Sequence, residues 1–270
     1  MNFPFKAQLR DARYALPGLV GRCVAGESAC EAARSLARLG REGMALSAGY
    51  FPHDGDTPAV IASTYAGLAR ELAGSGGDIL LSLKAPALGF GREPVRRIAG
   101  SGLPLAFDSL AGNAAARTLD LAEEFAAGAT LPARWRRSPD DARRLRDGPC
   151  RIRLVKGEWA DPVADVADVA AAYRELAGIL AGRSATVAVA THDPHLAADA
   201  LGVLLDAGTP CELEQLRGLP RRQTMAVARK LGVPVRLYYP FGPGWWPYAL
   251  DKALARPYLP VWALKDLLAA

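Results

Sequence analysis

Residues 233–257, VPVRLYYPFGPGWWPYALDKALARP, predict the last unit of a repeating strand–helix fold. The unit opens with the apolar, β-branched and aromatic residues of a buried strand, which we expect to end at Pro240. A Gly242-Pro243-Gly244 turn follows, and Pro247 is tolerated only in the first turn of a helix. Aromatic side chains crowd the strand end and the turn: Tyr238, Tyr239, Phe241, Trp245, Trp246 and Tyr248. These flat side chains suit a packed core or a flat ligand, so both interpretations stay open.

Strand followed by helix recurs eight times along the chain. The predicted strands cover residues 44–50, 78–83, 103–107, 129–135, 151–155, 186–190, 211–216 and 235–239. The predicted helices cover residues 59–73, 93–99, 111–126, 139–145, 163–180, 194–207, 221–231 and 247–256. A further helix over residues 31–43, with Gly40 as its expected stop, precedes the first strand.

This alternation predicts an α/β protein with a single-domain (βα)8 TIM-type barrel of parallel strands. Barrels of this type take about 250 residues, and the chain has 270. An open, doubly wound sheet is the alternative, but no turn carries the G-x-G-x-x-G pattern expected of a nucleotide-binding sheet. We expect residues 1–41 to form an N-terminal helical lead-in, residues 42–257 the barrel, and residues 258–270 a C-terminal extension.

Composition limits the possible classes of function. Half of the residues are hydrophobic and 23% are charged, which is typical of a globular protein. The net charge of +5 is spread along the chain, and no nucleic-acid-binding module is recognisable. The four cysteines form no C-x-x-C, and the N-terminal segment MNFPFKAQLR lacks the apolar core of a signal peptide, so we expect a reducing, cytoplasmic location. No apolar run approaches the roughly 18 residues that span a bilayer, so we expect at most peripheral membrane contact.

Polar residues stand at or just beyond the ends of the predicted strands, where barrel enzymes build their sites. They are Lys84, Asp108, Arg153, Lys156, Thr191, His192, Asp193, Glu212, Glu214 and Tyr238. A pair between Lys84 and Asp108, on neighbouring strands, would satisfy both charges without a ligand. Arg153 also needs an anionic or acceptor partner, and a structural ion pair and ligand binding are both open.

The three histidines leave a metal site as a weaker interpretation. His192 and His195 form a His-x-x-His, which would need His53 and carboxylates of the first loop to complete a metal site. The favoured interpretation is a neutral His192 that donates to a cofactor or to a backbone oxygen. Asp193 is then expected to cap the helix that follows it.

Three segments stand in the order and spacing of a known family. They are Arg153-Leu-Val-Lys-Gly157, Ala190-Thr-His-Asp193, and Arg236-Leu-Tyr-Tyr-Pro-Phe-Gly242 followed by Trp245-Trp-Pro-Tyr248. Over residues 45–257 the chain resembles the proline dehydrogenase family, FAD-dependent (βα)8 flavoenzymes that oxidise proline to pyrroline carboxylate. The resemblance implies non-covalent FAD and hydride transfer from the carbon next to an amine nitrogen to flavin N5. It also implies an amine or imino acid as substrate, with electrons passing to a quinone or another acceptor.

The resemblance implies roles for the matching positions. Arg153 would donate to the flavin near N5 and favour an anionic reduced ring. The catalytic residues it implies are Arg153, Lys84 and Asp108. The implied cofactor-binding residues are Arg153, Val155, Lys156, Gly157, Thr191, His192 and Glu214, and the implied substrate-binding residues are Trp159, Glu158, Leu216, Tyr238, Tyr248, Asp251 and Lys252.

Several pocket positions depart from the family pattern. The last helix of the family carries an arginine pair that grips the substrate carboxylate, and Asp251 and Lys252 stand at those positions. Flavin-facing glutamines of the fourth and seventh strands are replaced by Pro132 and Glu214. These changes are consistent with a dehydrogenase that acts on proline or on another cyclic or secondary amine. Such an amine would lack a free carboxylate or bear an extra cation that Glu158 or Asp251 could meet. A non-catalytic binding protein of the same family is one alternative, and a metal-dependent barrel hydrolase is another.

Overall fold

Eight parallel strands close into a barrel in the computed structural model, which describes residues 28–245, 248 and 249. The strands are β1 (Ala45–Tyr50), β2 (Ile79–Leu83), β3 (Leu105–Phe107), β4 (Gly128–Pro132), β5 (Ile152–Val155), β6 (Val187–Ala190), β7 (Cys211–Leu216) and β8 (Val235–Phe241). They follow one another around the barrel in chain order, and β8 pairs with β1. Closure confirms the predicted (βα)8 barrel and excludes the open sheet.

Helices alternate with the strands as expected. They are α1 (Ala29–Arg41), α2 (Pro58–Leu72), α3 (Arg92–Ala99), α4 (Ala115–Glu124), α5 (Ser138–Leu145), α6 (Val169–Leu180), α7 (Pro194–Asp206) and α8 (Arg222–Leu231). Apolar residues of the helices and of the outward strand faces form one core around the barrel. The helix predicted over residues 247–256 lies almost wholly outside the described residues. Within the part that the structure describes, no helix is long and apolar enough to cross a membrane.

Some element bounds differ from the predictions for local reasons. Helix α1 continues past Gly40 to Arg41. Strand β4 ends at Pro132, because the Trp135 backbone N–H turns back to the Pro132 carbonyl. Helix α6 begins at Val169 rather than at residue 163, because the Asp168 side chain accepts the first free N–H groups of the helix.

Strand β8 runs through Pro240 to Phe241, two residues beyond its predicted end. Its registered pairing with β7 ends at Tyr238, whereas its pairing with β1 continues to Phe241. Pro240 therefore lies where β8 has one remaining neighbour, and the missing N–H of a proline is tolerated at such an edge.

Charged side chains fill the barrel interior, in place of the branched apolar layers common in such barrels. Arg151 and Arg153 point inward from the β5 segment, and Glu212 and Glu214 point inward from β7, because residues two apart share a strand face. The strand between them, β6, presents only alanines inward, at Ala188 and Ala190 in the same register. Small side chains on β6 thus let the arginines of β5 reach the glutamates of β7.

Seven interior charges and the exposed Asp78 join into one alternating series, which we call the barrel ion chain. Its members, in order of contact, are Asp78, Arg236, Glu212, Arg151, Glu214, Arg153, Asp108 and Lys84. Basic and acidic residues alternate throughout, so four positive charges meet four negative charges. Burial of so many charges is costly unless each has a partner, and the alternation supplies one for each.

Tyr65 on α2 bridges β1 and β2 near their carboxyl ends. Its hydroxyl accepts from the Tyr50 backbone N–H at 2.8 Å and donates to the Ser82 carbonyl at 2.5 Å. The side chain is fully buried, so neither backbone group has water as a substitute.

We expect Tyr65→Phe to lower the free energy of unfolding by about 2–3 kcal/mol, because it leaves two buried backbone groups without a partner. Urea unfolding followed by circular dichroism measures the change. Tyr50→Phe is the matched control, because the Tyr50 hydroxyl makes one partly exposed hydrogen bond, to Asp56. The control should lose about 1 kcal/mol or less. Equal losses in the two variants would contradict this account of Tyr65.

Candidate active site

A cavity of about 1030 Å³ opens at the carboxyl ends of the strands. This volume is at the upper end of the range for small-molecule and cofactor sites, about 300–1,000 Å³. The residues of the predicted site that line it are Lys84, Asp108, Arg153, Val155, Lys156, Gly157, Glu158, Trp159, Thr191, His192, Glu214, Leu216, Tyr238 and Tyr248. The structure therefore brings the described members of the predicted site into one cavity. Asp251 and Lys252 lie outside the described residues.

Asp108 is the centre of a buried polar cluster in the floor of this cavity. One carboxylate oxygen accepts from Ser82 Oγ and from Arg153 Nη1, both at 2.6 Å. The other accepts from Tyr238 Oη at 2.9 Å and lies 3.5 Å from Lys84 Nζ. Burial alone would raise the pKa of Asp108, but the Lys84 and Arg153 cations outweigh it and the pKa lies below its ordinary value. Asp108 is therefore an ionised anchor for four donors.

Lys84 reaches this cluster from the end of β2. Its ammonium donates to the Tyr50 carbonyl at 2.9 Å and lies 3.9 Å from the centre of the Phe51 ring. Burial lowers the pKa of Lys84, and the nearby Asp108 carboxylate opposes that shift. The pair between Lys84 and Asp108 that the sequence allowed is present, together with a cation–π contact that the sequence did not indicate.

Arg153 lies between two carboxylates and is 4% exposed. Its Nη1 meets Asp108, and its Nη2 lies 2.9 Å from Glu214 Oε1. Burial would lower the pKa of Arg153, but Glu214 and Asp108 raise it, so the guanidinium keeps its charge. Arg153 thus forms the structural ion pair that the sequence allowed, once with Asp108 and once with Glu214. The Nε atom of Arg153 is buried and has no hydrogen-bond partner within the described part of the chain.

Glu214 is 3% exposed and joins two arginines. Its second oxygen accepts from Arg151, which in turn contacts Glu212 below it. Burial would raise the pKa of Glu214, but Arg153 and Arg151 lower it to about 2. Glu214 is therefore an anion at any ordinary pH. Sequence reasoning did not include Arg151 in the site, although its spacing of two from Arg153 places both on one strand face.

The aromatic stretch divides between core and cavity. Tyr239 and Phe241 are buried in the core, at 1% and 0% exposure. Tyr238 points the other way and donates to Asp108, in space left by Gly49, where an added Cβ would lie 2.0 Å from the tyrosine oxygen. Alternate residues of one strand therefore serve the core and line the cavity.

Three rings form an aromatic wall beyond Tyr238, consisting of Phe51, Trp245 and Tyr248. Their centroids lie 4.9 Å apart for Phe51 and Trp245, 5.3 Å for Phe51 and Tyr248, and 5.7 Å for Trp245 and Tyr248. All three line the cavity. Sequence reasoning did not include Phe51 in the site, because it lies in the first loop, far from the other two along the chain.

The loop after β5 is held close to β4 by a glycine and an arginine. Gly157 has φ of 100°, and an added Cβ would lie 2.8 Å from carbon atoms of Pro132 and Arg134. The Arg134 guanidinium donates to the carbonyls of Gly157 and Glu158 and binds Asp165. Trp159, whose carbonyl accepts from the indole of Trp135, is 44% exposed at the cavity mouth. These contacts connect the loop after β5 to the residues that follow β4.

His192 is fixed in one neutral form by backbone groups. The Leu216 backbone N–H donates to Nε2 at 3.0 Å, and Nδ1 lies 2.7 Å from the Pro220 carbonyl. Because a backbone N–H only donates, Nε2 must accept, and the ring proton is on Nδ1. His192 therefore donates to a backbone oxygen and joins the loops after β6 and β7. Asp193 caps α7 as predicted and also lies 3.1 Å from Lys156 Nζ.

The histidines form no metal site with carboxylates in the described part of the chain. Among residues 28–245, 248 and 249, no group of three or more His, Cys, Asp and Glu side chains is placed to hold a metal ion. His53 Nδ1 instead lies 2.7 Å from the Asp54 carbonyl, while both His192 nitrogens contact backbone groups. The described residues thus provide no ligand set for the metal-dependent hydrolase.

Sequence comparison finds two informative relatives, although no protein-family model matches the chain. Proline dehydrogenase 1 of Bacillus subtilis is 26% identical over 148 residues, which cover 52% of this chain and 49% of that protein. The match thus spans about half the length of that relative. Proline dehydrogenase of Deinococcus radiodurans is 28% identical over 278 residues, covering 91% of this chain and 89% of that protein.

Solved structures share the barrel. Proline utilization A (PutA) from Bdellovibrio bacteriovorus superposes with a TM-score of 0.72 at 18% identity, covering 93% of this chain and 34% of that one. PutA from Corynebacterium freiburgense superposes with a TM-score of 0.70 at 18% identity, covering 95% of this chain and 33% of that one. At this identity the structures establish the common fold. The chain is thus similar in sequence to proline dehydrogenases and shares its barrel with PutA.

Proposed function

We propose that the chain is a flavin-dependent amine dehydrogenase. It would transfer hydride from the carbon next to the nitrogen of a cyclic or secondary amine to N5 of FAD, and the electrons would then pass to a quinone or another acceptor. The observation that carries this proposal is the cluster of Lys84, Asp108, Arg153 and Tyr238, buried at the strand ends beneath an aromatic wall. The proline dehydrogenase relatives support the reaction class.

The residues present fit a flavin in two respects. The buried Nε of Arg153 lacks an acceptor among the described residues although Arg153 lines the cavity, so an acceptor atom of a bound ring would satisfy it. The aromatic wall and the Tyr238 ring offer flat surfaces of the kind that a flat ring system packs against. When bound, FAD would supply the acceptor of the electron pair, which protein side chains cannot provide.

Each member of the cluster has a task that its contacts define. Asp108 already receives four donors, which match the roughly four acceptor positions of a carboxylate, so its role is to position rather than to remove a proton. Arg153 presents a permanent cation, and Tyr238 presents its ring from the same anchor. The aromatic wall would exclude water from the amine and the ring face. The protein thus supplies orientation and electrostatics.

The charges that line the cavity favour an amine without a free carboxylate. Each cavity-lining Lys or Arg of the described chain already has a carboxylate partner: Lys84 with Asp108, Arg153 with Asp108 and Glu214, Arg134 with Asp165, and Lys156 with Asp193. A substrate carboxylate would have to compete with these partners. Asp251 and Lys252, which stand in place of the family's arginine pair, also favour a substrate without a free carboxylate.

One observation favours the non-catalytic alternative. The members of the barrel ion chain pair with one another, so most polar atoms of the cluster have partners without any ligand. A binding protein could keep this arrangement for stability alone. Flavin binding and reduction separate the two functions directly.

We expect the chain, incubated with FAD and freed of excess, to keep flavin absorption bands that denaturation releases into solution. Anaerobic pyrrolidine should then bleach these bands at least as fast as proline at equal concentration, because pyrrolidine carries no carboxylate. Stopped-flow absorbance measures both rates. Proline faster by about tenfold would contradict the proposed substrate class. Retained flavin that no amine bleaches would favour the non-catalytic alternative.

Arg153→Met should slow flavin reduction by the amine about 10²-fold, because the ring would lose the side chain that positions it, and a misplacement of about 1 Å can cost this much. Arg236→Met is the matched control, because Arg236 is a buried arginine of the same barrel ion chain that does not line the cavity. Its rate should stay within about threefold of the parent chain, an order-of-magnitude expectation for a residue without transition-state contacts. Equal rates in the Arg153 variant and the parent would remove Arg153 from the mechanism.

A further inference from the structure

Glu214 has an unusual position for a buried carboxylate in a cavity wall. It lines the cavity although it is only 3% exposed. Its carboxylate lies 2.9 Å from Arg153 Nη2, whereas Asp108 contacts Nη1 of the same guanidinium. Arg151 holds its other oxygen from below. The Glu214 carboxylate is thereby fixed next to the one cation that the proposed reaction uses most directly.

A count of charges shows what Glu214 changes. In the cavity part of the barrel ion chain, Lys84 and Arg153 face Asp108 and Glu214, so two positive charges meet two negative charges. An uncharged residue at position 214 would leave one positive charge in excess. Inside a protein a charge at contact distance dominates the local potential, because the effective dielectric constant is far below that of water. Glu214 therefore decides whether the cavity floor is neutral or positive.

We infer that Glu214 sets the charge of the cavity floor, cancelling the positive charge that Arg153 presents to a bound ring. Arg153 then orients a ligand without stabilising negative charge on it. This differs from the role that the family resemblance implies for Arg153, which is to favour an anionic reduced flavin. The inference rests on the proposed flavin site for its first test, and a second test needs no flavin.

The first test is sulfite binding to the FAD-loaded chain. The sulfur lone pair of sulfite forms a bond to flavin N5, nothing leaves, and the ring takes up the negative charge, so the affinity reports the positive charge near the ring. Glu214→Gln should bind sulfite at least tenfold more tightly than the parent. Glu212→Gln is the matched control: it removes a buried carboxylate two residues away, on the same strand, that contacts Arg151 and Arg236 and does not line the cavity. Its sulfite affinity should change by less than about threefold, because a charge farther from the ring acts on it more weakly.

A double variant guards against loss of folding. Arg151→Gln combined with Glu214→Gln removes one charge of each sign, so the remaining barrel ion chain stays balanced. Because Arg153 still loses its second partner, the double variant should gain sulfite affinity, by less than Glu214→Gln because the Arg151 charge is also gone. Equal sulfite affinity in the parent and in both Glu214 variants, or an equal gain in Glu212→Gln, would overturn the inference.

The second test uses the flavin-free chain and two quenchers of tryptophan fluorescence. Trp159 and Trp245 line the cavity, and iodide is an anion whereas acrylamide is neutral. The ratio of iodide to acrylamide quenching should rise in Glu214→Gln and stay at the parent value in Glu212→Gln. An identical ratio in all three chains would overturn the inference. Failure to bind FAD would count against the proposed function alone, because this ratio still decides the role of Glu214.

Discussion

The burial of Arg153 is the constraint on which the site depends. A guanidinium almost enclosed in a barrel is tolerated only with carboxylate partners, and removing one partner from such a pair typically costs about 3–5 kcal/mol. Asp108 and Glu214 meet this requirement from opposite sides. Each then needs its own neighbours, which are Lys84 for Asp108 and Arg151 for Glu214. The barrel ion chain is the result of satisfying one charge after another.

Small residues are as important to this arrangement as the charged ones. Ala188 and Ala190 on β6 leave the gap through which the arginines of β5 reach the glutamates of β7. Gly49 on β1 leaves the space that the Tyr238 hydroxyl occupies on its way to Asp108. The interior thus combines long charged side chains with small neighbours instead of layered aliphatic residues.

The sequence predicted the barrel, the end of the barrel at which the cavity lies and a possible pair between Lys84 and Asp108, but not the other ion pairs of the cavity floor. Strand-end positions were sufficient to collect Lys84, Asp108, Arg153 and Tyr238, because the carboxyl ends of parallel strands meet at one face. The partners of Arg153 were not predictable, because Glu214 depends on side-chain reach across β6 and Asp108 on reach across β4. The acceptor of His192 was also not predictable, because the Pro220 carbonyl belongs to a distant loop. The start of α6 was misplaced because Asp168, not a hydrophobic pattern, decides it. Predictions for Asp251 and Lys252 fall outside the described residues.

Within a charge-neutral floor, Arg153 would orient a flavin without favouring an anionic reduced ring. The reduction potential of the bound flavin, measured from mildly acidic to mildly alkaline pH, reports the charge of the reduced ring. Two-electron reduction that takes up two protons changes the potential by about 59 mV per pH unit, and uptake of one proton changes it by about 30 mV. Because the reduced ring of free flavin itself loses a proton near neutral pH, the informative quantity is the pH at which the slope changes from the larger to the smaller value. With Glu214 in place, this pH should match that of free FAD. A change of slope at a clearly lower pH would mean that the positive charge of Arg153 favours the anionic ring, and would overturn the neutral floor.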